Sequence, residues 1–514
     1  MIWFFRKWFW NFIAWIKFRL NKPLDIPPPP SRRTPIVPVP MSQAIVGLPI
    51  DNILTCSLDQ IPPDERSRAK SAVYALQVWL YSAFSPMQAG LQPIDADPLQ
   101  ALNNAYTWLH RSQFPPPVLP AEYSGSADLG SLAVRGPYAG YLERYQDGIF
   151  QWNVQGLDRY EHHPGLRKLG VRVLFRVDAL RRGLQAYQID SALGTSMLDD
   201  AQWETSKKLA LCTLSTHTSL VRHFNWVHLA GGESLGIATR NQLPSTHWLC
   251  RLLWPHTFAT EQNGDMVTRG QMLRGGDFET TFSFSFEGMC KLFADSYGDY
   301  RIEHNDPEAN ANARQIMGQG FDTPTEDNLR SLFTVIHDHA QRSLRAAYPG
   351  VAEGVAEGAL NAAVQADAAV LAWLDELNTL TPSGVGLTRA SVSADGLARL
   401  IARCIYMASV QHELLGSHLW NYQLWSHRQP TRIALDGKRE PLDVYQRLVN
   451  ANYNLNVHRR GLVFDFSYLA DDAAAKAAMQ RFVAELNALQ DRMSLEPWAV
   501  WKLYPQGLKA SINA

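Results

Sequence analysis

The 514-residue chain is 46% apolar and 19% charged, which fits a globular protein with a large buried core and excludes a disordered or collagen-like chain. A net charge of −1 offers no electrostatic grip on a polyphosphate, so non-specific nucleic-acid binding is excluded as the main task. Five dispersed cysteines (Cys56, Cys212, Cys250, Cys290, Cys404) with no C-x-x-C spacing exclude a disulfide framework and a zinc knuckle.

Residues 1–20, MIWFFRKWFWNFIAWIKFRL, mix aromatic side chains with Arg6, Lys7, Lys17 and Arg19. The charges leave no apolar run long enough to cross a bilayer, and no small-residue cleavage site follows. An amphipathic helix over 1–22 is predicted, lying at a membrane interface or covering an apolar surface or pocket mouth of the protein itself. The expected location is therefore cytoplasmic, with peripheral attachment to a membrane surface through residues 1–20 as the sharper alternative. Residues 23–40 (PLDIPPPPSRRTPIVPVP) read as an extended strap, since proline fixes φ and removes donors. Helical spacing predicts helices over Asp64 to Phe84 and Pro98 to Arg111. The Pro-, Gly- and Ser-rich stretch from Gln113 to Tyr145 reads as irregular surface. From Gly165 to Tyr187 the pattern first alternates and then turns helical, predicting a short strand followed by a helix.

The stretch Trp203 to Asn263 is the most informative. It opens as a long helical pattern without proline, W-E-T-S-K-K-L-A-L-C-T-L-S-T-H-T-S-L-V-R-H-F-N-W-V-H, carrying His223 and His228. Residues five apart on a regular α-helix stand roughly 140° around the axis and cannot share one ion. A π-bulge, rare and concentrated at functional sites, would bring both imidazoles onto one face. Taken alone, the pair reads as two core histidines. The continuation adds Gln242-Leu243-Pro244, His247, Leu252-Leu253, Pro255 and His256. With Trp203, His223 and His228, these positions resemble the lipoxygenase family, whose pattern is an upstream Trp, His-x4-His, a His, and Leu-Leu-x-Pro-His. The match to that pattern carries one insertion near Gly232. No hundred-residue run of alternating short strands precedes Asp64, so the resemblance is to compact members without an N-terminal β-sandwich. It implies a mainly α fold, a helical catalytic domain over residues 41–514 built around a long central helix, with small β elements.

Further along, Thr281 to Met289 alternates aromatic and polar residues before a helix resumes. Helices are predicted over Thr325 to Tyr348 and Val351 to Leu380, separated by Pro349-Gly350. His337 and His339 are two apart and diverge on a helix, so both read as surface or structural, as does the His162–His163 doublet. A strongly apolar helix follows from Ser393 to about Trp425, and a last one from Asp471 to Met493.

The resemblance also implies a metal centre. Such a centre uses non-haem iron (Fe2+/Fe3+), held by three histidines, a fourth variable side chain and a terminal carboxylate. His223 and His228 give the first pair. Ala408-Ser409-Val410-Gln411-His412 matches the segment of the third, with Trp425 at the downstream tryptophan. The fourth position falls on Gly416, which has no side chain, so water replaces it there unless Ser417 or His418 reaches in. The same glycine defeats an H-E-x-x-H reading of His412-Glu413. The fifth donor is the carboxylate of Ala514, where alanine forfeits anchoring burial worth about 2 kcal/mol relative to isoleucine. Thr218, Ser219 and Leu419 stand where the family places its hydrogen-bonding network, so that network is absent or rebuilt. His247 and His256 match no ligand and read as structural. Expected channel residues are Phe224, Leu243, Leu252, Leu253, Thr268 and Met272, with Thr268 at the position tied to oxygen access.

The implied activity is that of a dioxygenase. Iron-bound hydroxide held by His223, His228 and His412 takes hydrogen from the methylene between two cis double bonds of a polyunsaturated fatty acid or related lipid. O2 then adds to give a hydroperoxide. Two alternatives stand beside it: a diverged iron oxygenase acting on a carrier-bound or secondary-metabolite substrate, and a catalytically silent membrane-associated scaffold.

Overall fold

A computed structural model describes residues 26–66, 120–123, 125–348, 357–423, 428–436, 460–495 and 503–512. The helix expected over 1–22, nearly all of that expected over Asp64 to Phe84, and the one over Pro98 to Arg111 lie outside these residues. So do Trp425 and Ala514.

The N-terminal described segment lies along the body and forms a short ladder, β1 (Val39–Pro40) with β2 (Leu54–Thr55), around helix α1 (Met41–Ala44). Arg240 pins it from below: its guanidinium meets Asp64 at 2.9 Å and also Glu65, with Glu261 at 3.8 Å. Helix α2 (Leu129–Val134) follows, its first turn capped by the Asp128 carboxylate, which accepts the Ser131 N–H. This helix, and a strand beginning at Glu143, replace part of the irregular surface expected up to Tyr145.

Five strands then form an antiparallel meander: β3 (Glu143–Gln146), β4 (Ile149–Asn153), β5 (Val171–Asp178), β6 (Gly183–Ser191) and β7 (Gly194–Met197). The helix expected after the first half of Gly165 to Tyr187 is instead β6, the return arm of a hairpin. Leu180, Leu184 and Tyr187 imitate helical spacing, but Leu180 is 99% exposed at the turn. The Asp178 carboxylate accepts the N–H groups of Leu180 and Arg181, and Arg182 takes a left-handed φ of 50°. Those turn devices reverse the chain. Val171, Val173 and Phe175 then face inward beside Trp152, with Val173 opposite Trp152 in register.

The rest is helical. Helix α3 (Trp203–His217) runs between two apolar clusters, turning Leu211 and Leu214 to the sheet side and Leu209 and Cys212 to the main core. A helix apolar on both faces is expected to be buried. After it come a π-helical stretch, Thr218–Glu233, and α4 (Ser234–Gln242), α5 (Trp248–Thr257), α6 (Thr260–Met272), α7 (Asp277–Thr281), α8 (Phe286–Tyr297) and α9 (Pro307–Ala313). Helix α10 (Pro324–Ala347) starts with proline in its first turn, as proline's fixed φ favours. The long helix expected over Val351 to Leu380 is two, α11 (Glu357–Ala366) and α12 (Ala368–Leu380), because the Asp367 carboxylate accepts the N–H groups of Ala369 and Val370 and starts a new helix. Helix α13 (Ala394–Tyr406) is capped by Ser393 and continues through two π-helical turns, Met407–Gln411 and Leu414–His418, into α14 (Leu419–Gln423). Helix α15 (Ala473–Ser494) is capped by Asp472. Among the described residues no helix is long and apolar enough to cross a membrane.

Candidate metal centre

The two elements that cross at the heart of the main core are the ones with π-helical geometry. In Thr218–Glu233 the backbone bonds run from i to i+5, so His228 stands almost directly above His223 rather than across the axis. Local chemistry helps to open the turn: the Thr218 hydroxyl donates to the Leu214 carbonyl at 2.7 Å, competing for an acceptor of the α-helical ladder. Close packing does the rest. A Cβ at Gly231 would lie 2.2 Å from Met407 Sδ, and one at Gly232 would lie 2.1 Å from Ile512 Cδ1. These glycines let the second helix and the C-terminal segment press directly on the first. On that second helix the Ser409 hydroxyl donates to the Ile405 carbonyl at 2.6 Å, and His412 sits between the two π-helical turns.

The outcome is three imidazoles facing one point. His223, His228 and His412 are buried, and one ring nitrogen of each lies within 4.8 Å of the others. Nε2 of His228 is 3.3 Å from Nε2 of His223 and 3.1 Å from Nε2 of His412. Nitrogens about 2.1 Å from a shared ion and at right angles to each other are about 3 Å apart, so the spacing fits a facial set of ligands. Neutral imidazole is a good donor to the first-row metals. The tautomer at His412 follows from its other nitrogen: Nδ1 lies 3.2 Å from the buried Glu413 carboxylate and donates to it, which turns the Nε2 lone pair toward the centre. Glu413 in turn accepts the Ser417 hydroxyl at 2.7 Å.

At Gly416 a Cβ would stand 3.0 Å from His223 Nε2 and 3.1 Å from Cε1, so the ring of His223 fills the space beside that glycine. Ser417 points its hydroxyl at Glu413, and His418 has its pKa pushed down to about 4 by burial. Ser219 has gained a partner that sequence reasoning missed: the Gln423 amide donates to its hydroxyl at 3.0 Å, tying the two histidine helices together. Gln423 lies one turn beyond Leu419, and nothing in a linear motif couples it to Ser219.

Ala514 lies beyond the described residues; the segment that precedes it is packed onto the body. Ile512 is buried against Gly232, one turn past His228, and the Ala510 carbonyl accepts from His256 Nδ1 at 2.6 Å. Ile512 buries an apolar side chain two residues before Ala514, where alanine has none of comparable size. His256 therefore has a structural task, and burial pushes its pKa down to about 4. His247 bonds the Asp367 carboxylate at 3.0 Å, and His162 and His163 bond backbone groups. His339 stacks on Phe482, ring centroids 4.2 Å apart.

The expected channel residues separate. The Phe224 ring lies 5.4 Å from the His228 ring and edge-on to Phe278, so it borders the centre. Leu252 lines an apolar cavity with Pro255, His256, Leu462, Phe466 and Phe482. Leu243, Leu253, Thr268 and Met272 are all buried. The signals that were missed are Glu413, Gln423 and Ile512. Only Glu413 could have been found from sequence, as a carboxylate adjoining a candidate ligand.

No protein-family model and no curated protein matches the sequence. Solved structures do match its fold. A calcium-dependent 11R-lipoxygenase aligns at a TM-score of 0.74 and 16% identity, covering 93% of this chain and 78% of that one. Coral 8R-lipoxygenase aligns at 0.75 and 13% identity, over 93% and 79%. The manganese lipoxygenase of Gaeumannomyces graminis aligns at 0.71 and 12% identity, over 93% and 96%. The fold of this chain is the lipoxygenase fold, and its histidine cluster is suited to a metal ion.

Proposed function

We propose that this chain, folded as a lipoxygenase, is a non-haem iron dioxygenase that inserts O2 into a polyunsaturated fatty acid or related lipid to give a hydroperoxide. The observation that carries the reading is the convergence of three imidazole Nε2 atoms, 3.1 and 3.3 Å apart, from two π-distorted helices in the middle of that fold. In this reading His223, His228 and His412 hold the ion, and the Ala514 carboxylate completes the set. Bound iron would supply the one-electron acceptor that removes hydrogen from the methylene between two cis double bonds. The protein's own part is to keep water out and to align the acyl chain along apolar walls, for which Phe224, Leu243, Leu252, Leu253, Thr268 and Met272 are the assigned residues. Residues 41–514 form the catalytic unit, 23–40 a strap along it, and 1–22 an interfacial or covering helix.

Gly416 favours a second reading, in which the same iron centre oxidises a carrier-bound or secondary-metabolite substrate. Gly416 offers no donor side chain at the fourth position, where a Cβ would crowd the His223 ring, and Gln423 links the ligand helices through Ser219, so in this reading the metal is held differently from the family pattern.

Iron analysis of the purified protein, followed by incubation with linoleic or arachidonic acid and detection of conjugated-diene absorbance, tests both. Stoichiometric iron with diene formation is the expected result. Iron without diene supports the second reading, and absence of any metal points to a silent scaffold. His412→Ala should abolish metal binding, and full occupancy in that variant would refute its role.

A further inference from the structure

The buried Glu413 carboxylate has no place in the donor set above, yet it touches a member of that set. It is 3% exposed, and its Oε1 lies 3.2 Å from His412 Nδ1 while Oε2 accepts the Ser417 hydroxyl at 2.7 Å. A carboxylate in a core is costly unless its oxygens are bonded, and these two bonds give each oxygen a donor. Both donors come from the same stretch of helix. The Glu413 N-terminal neighbour supplies the imidazole, and Ser417, one turn on, locks the carboxylate from the other side. The distortion of the backbone at Leu414–His418 matters here, because it sits between the two groups that the carboxylate joins. Of the three imidazoles, His412 is the one with a carboxylate next to it in sequence.

We propose that Glu413 is a positioning residue for the metal: its carboxylate holds His412 as the Nδ1–H tautomer and strengthens Nε2 as a donor, while Ser417 fixes the carboxylate. The inference rests on the metal-centre reading above and deepens it. Hydrogen bonding of the remote nitrogen to a carboxylate orients a ligating imidazole, raises its basicity, and adds negative charge close to the ion. That charge stabilises the higher oxidation state more than the lower one.

The test uses full-length protein stripped of metal under anaerobic conditions and titrated with Fe2+, and separately with Mn2+, against a competing chelator. Glu413→Gln keeps an acceptor of the same shape and removes the charge. It is expected to bind 10- to 100-fold more weakly than wild type, with unchanged thermal unfolding of the metal-free protein and a more positive midpoint potential of the bound iron. Ser417→Ala, which leaves the carboxylate in place but unlocked, is expected to weaken binding several-fold, and it decides the matter should Glu413→Gln not fold. Affinity and potential equal to wild type in a folded variant would overturn the role of Glu413 and leave the metal centre standing. Failure of the wild type to bind either ion would overturn both.

Discussion

Gly416 shows how much one missing side chain can decide. A Cβ at this position would stand 3.0 Å from the Nε2 of His223, closer than side chains normally pack against a ring. Gly416→Ala is therefore expected to push the imidazole by a few tenths of an ångström and weaken metal binding by about tenfold, with folding preserved. Chelator competition measures it, and an unchanged affinity would mean the ring has room to move. At this scale the sequence was legible where a motif is contiguous or periodic. His223 and His228 attract attention because of their i, i+5 spacing, which makes sense only on a non-α helix, and the helix from Thr218 to Glu233 is of that kind. The proximity of His412 came from a family-like segment, since nothing in its spacing from His228 across 184 positions could supply it. Gln423 and Ile512 were not legible, because each meets its partner through packing between distant elements.

Among the described elements, α4 carries a buried ionic cluster. Arg240 is buried at 5% exposure and faces Asp64, Glu65 and Glu261, of which Glu65 and Glu261 are buried too. Removing one partner of such a set strands the others in the core. Arg240→Ala is expected to destabilise the protein by about 3–5 kcal/mol, read as a lower urea midpoint, while Arg181→Lys at an exposed position should move it little. A drop under 1 kcal/mol would show that the acids are rescued by protons or water. Among the described residues, element type was read correctly in α10, α13 and α15, where periodicity ran long and the starts are marked by Pro324, Ser393 and Asp472. It failed where a turn lay inside a pattern. Leu180, Leu184 and Tyr187 suit a helix by spacing, but Asp178 and Arg182 fold the chain into a hairpin instead. Asp367 did the same to the alanine-rich segment by capping a second helix.

For the molecule as a whole, buried histidines such as His256 and His339 are expected to contribute to its response to acid. Burial pushes the pKa of His256 down to about 4 and that of His339 down to about 3, from an ordinary 6.5. Each is neutral when folded and takes up a proton more readily when unfolded. Their contribution is complete above about pH 6.5 and is lost as pH falls from there toward 4, on the order of 3 kcal/mol each at most. Thermal unfolding followed from pH 7.5 to 4 should show this decline, and His339→Phe, which keeps the stack on Phe482, should flatten it. An unaltered slope would place the acid sensitivity elsewhere.

The crossing of the two distorted helices has one more consequence. His228 and His412 bracket 184 positions of chain, so an ion gripped by both fastens a very long loop, much as a rivet joins two girders. Whatever binds only the folded state raises the temperature at which it melts. Heat resistance of a preparation will therefore track its metal loading, and a partly loaded sample will melt in two steps, which makes a melting curve a simple gauge of how much of the protein is armed.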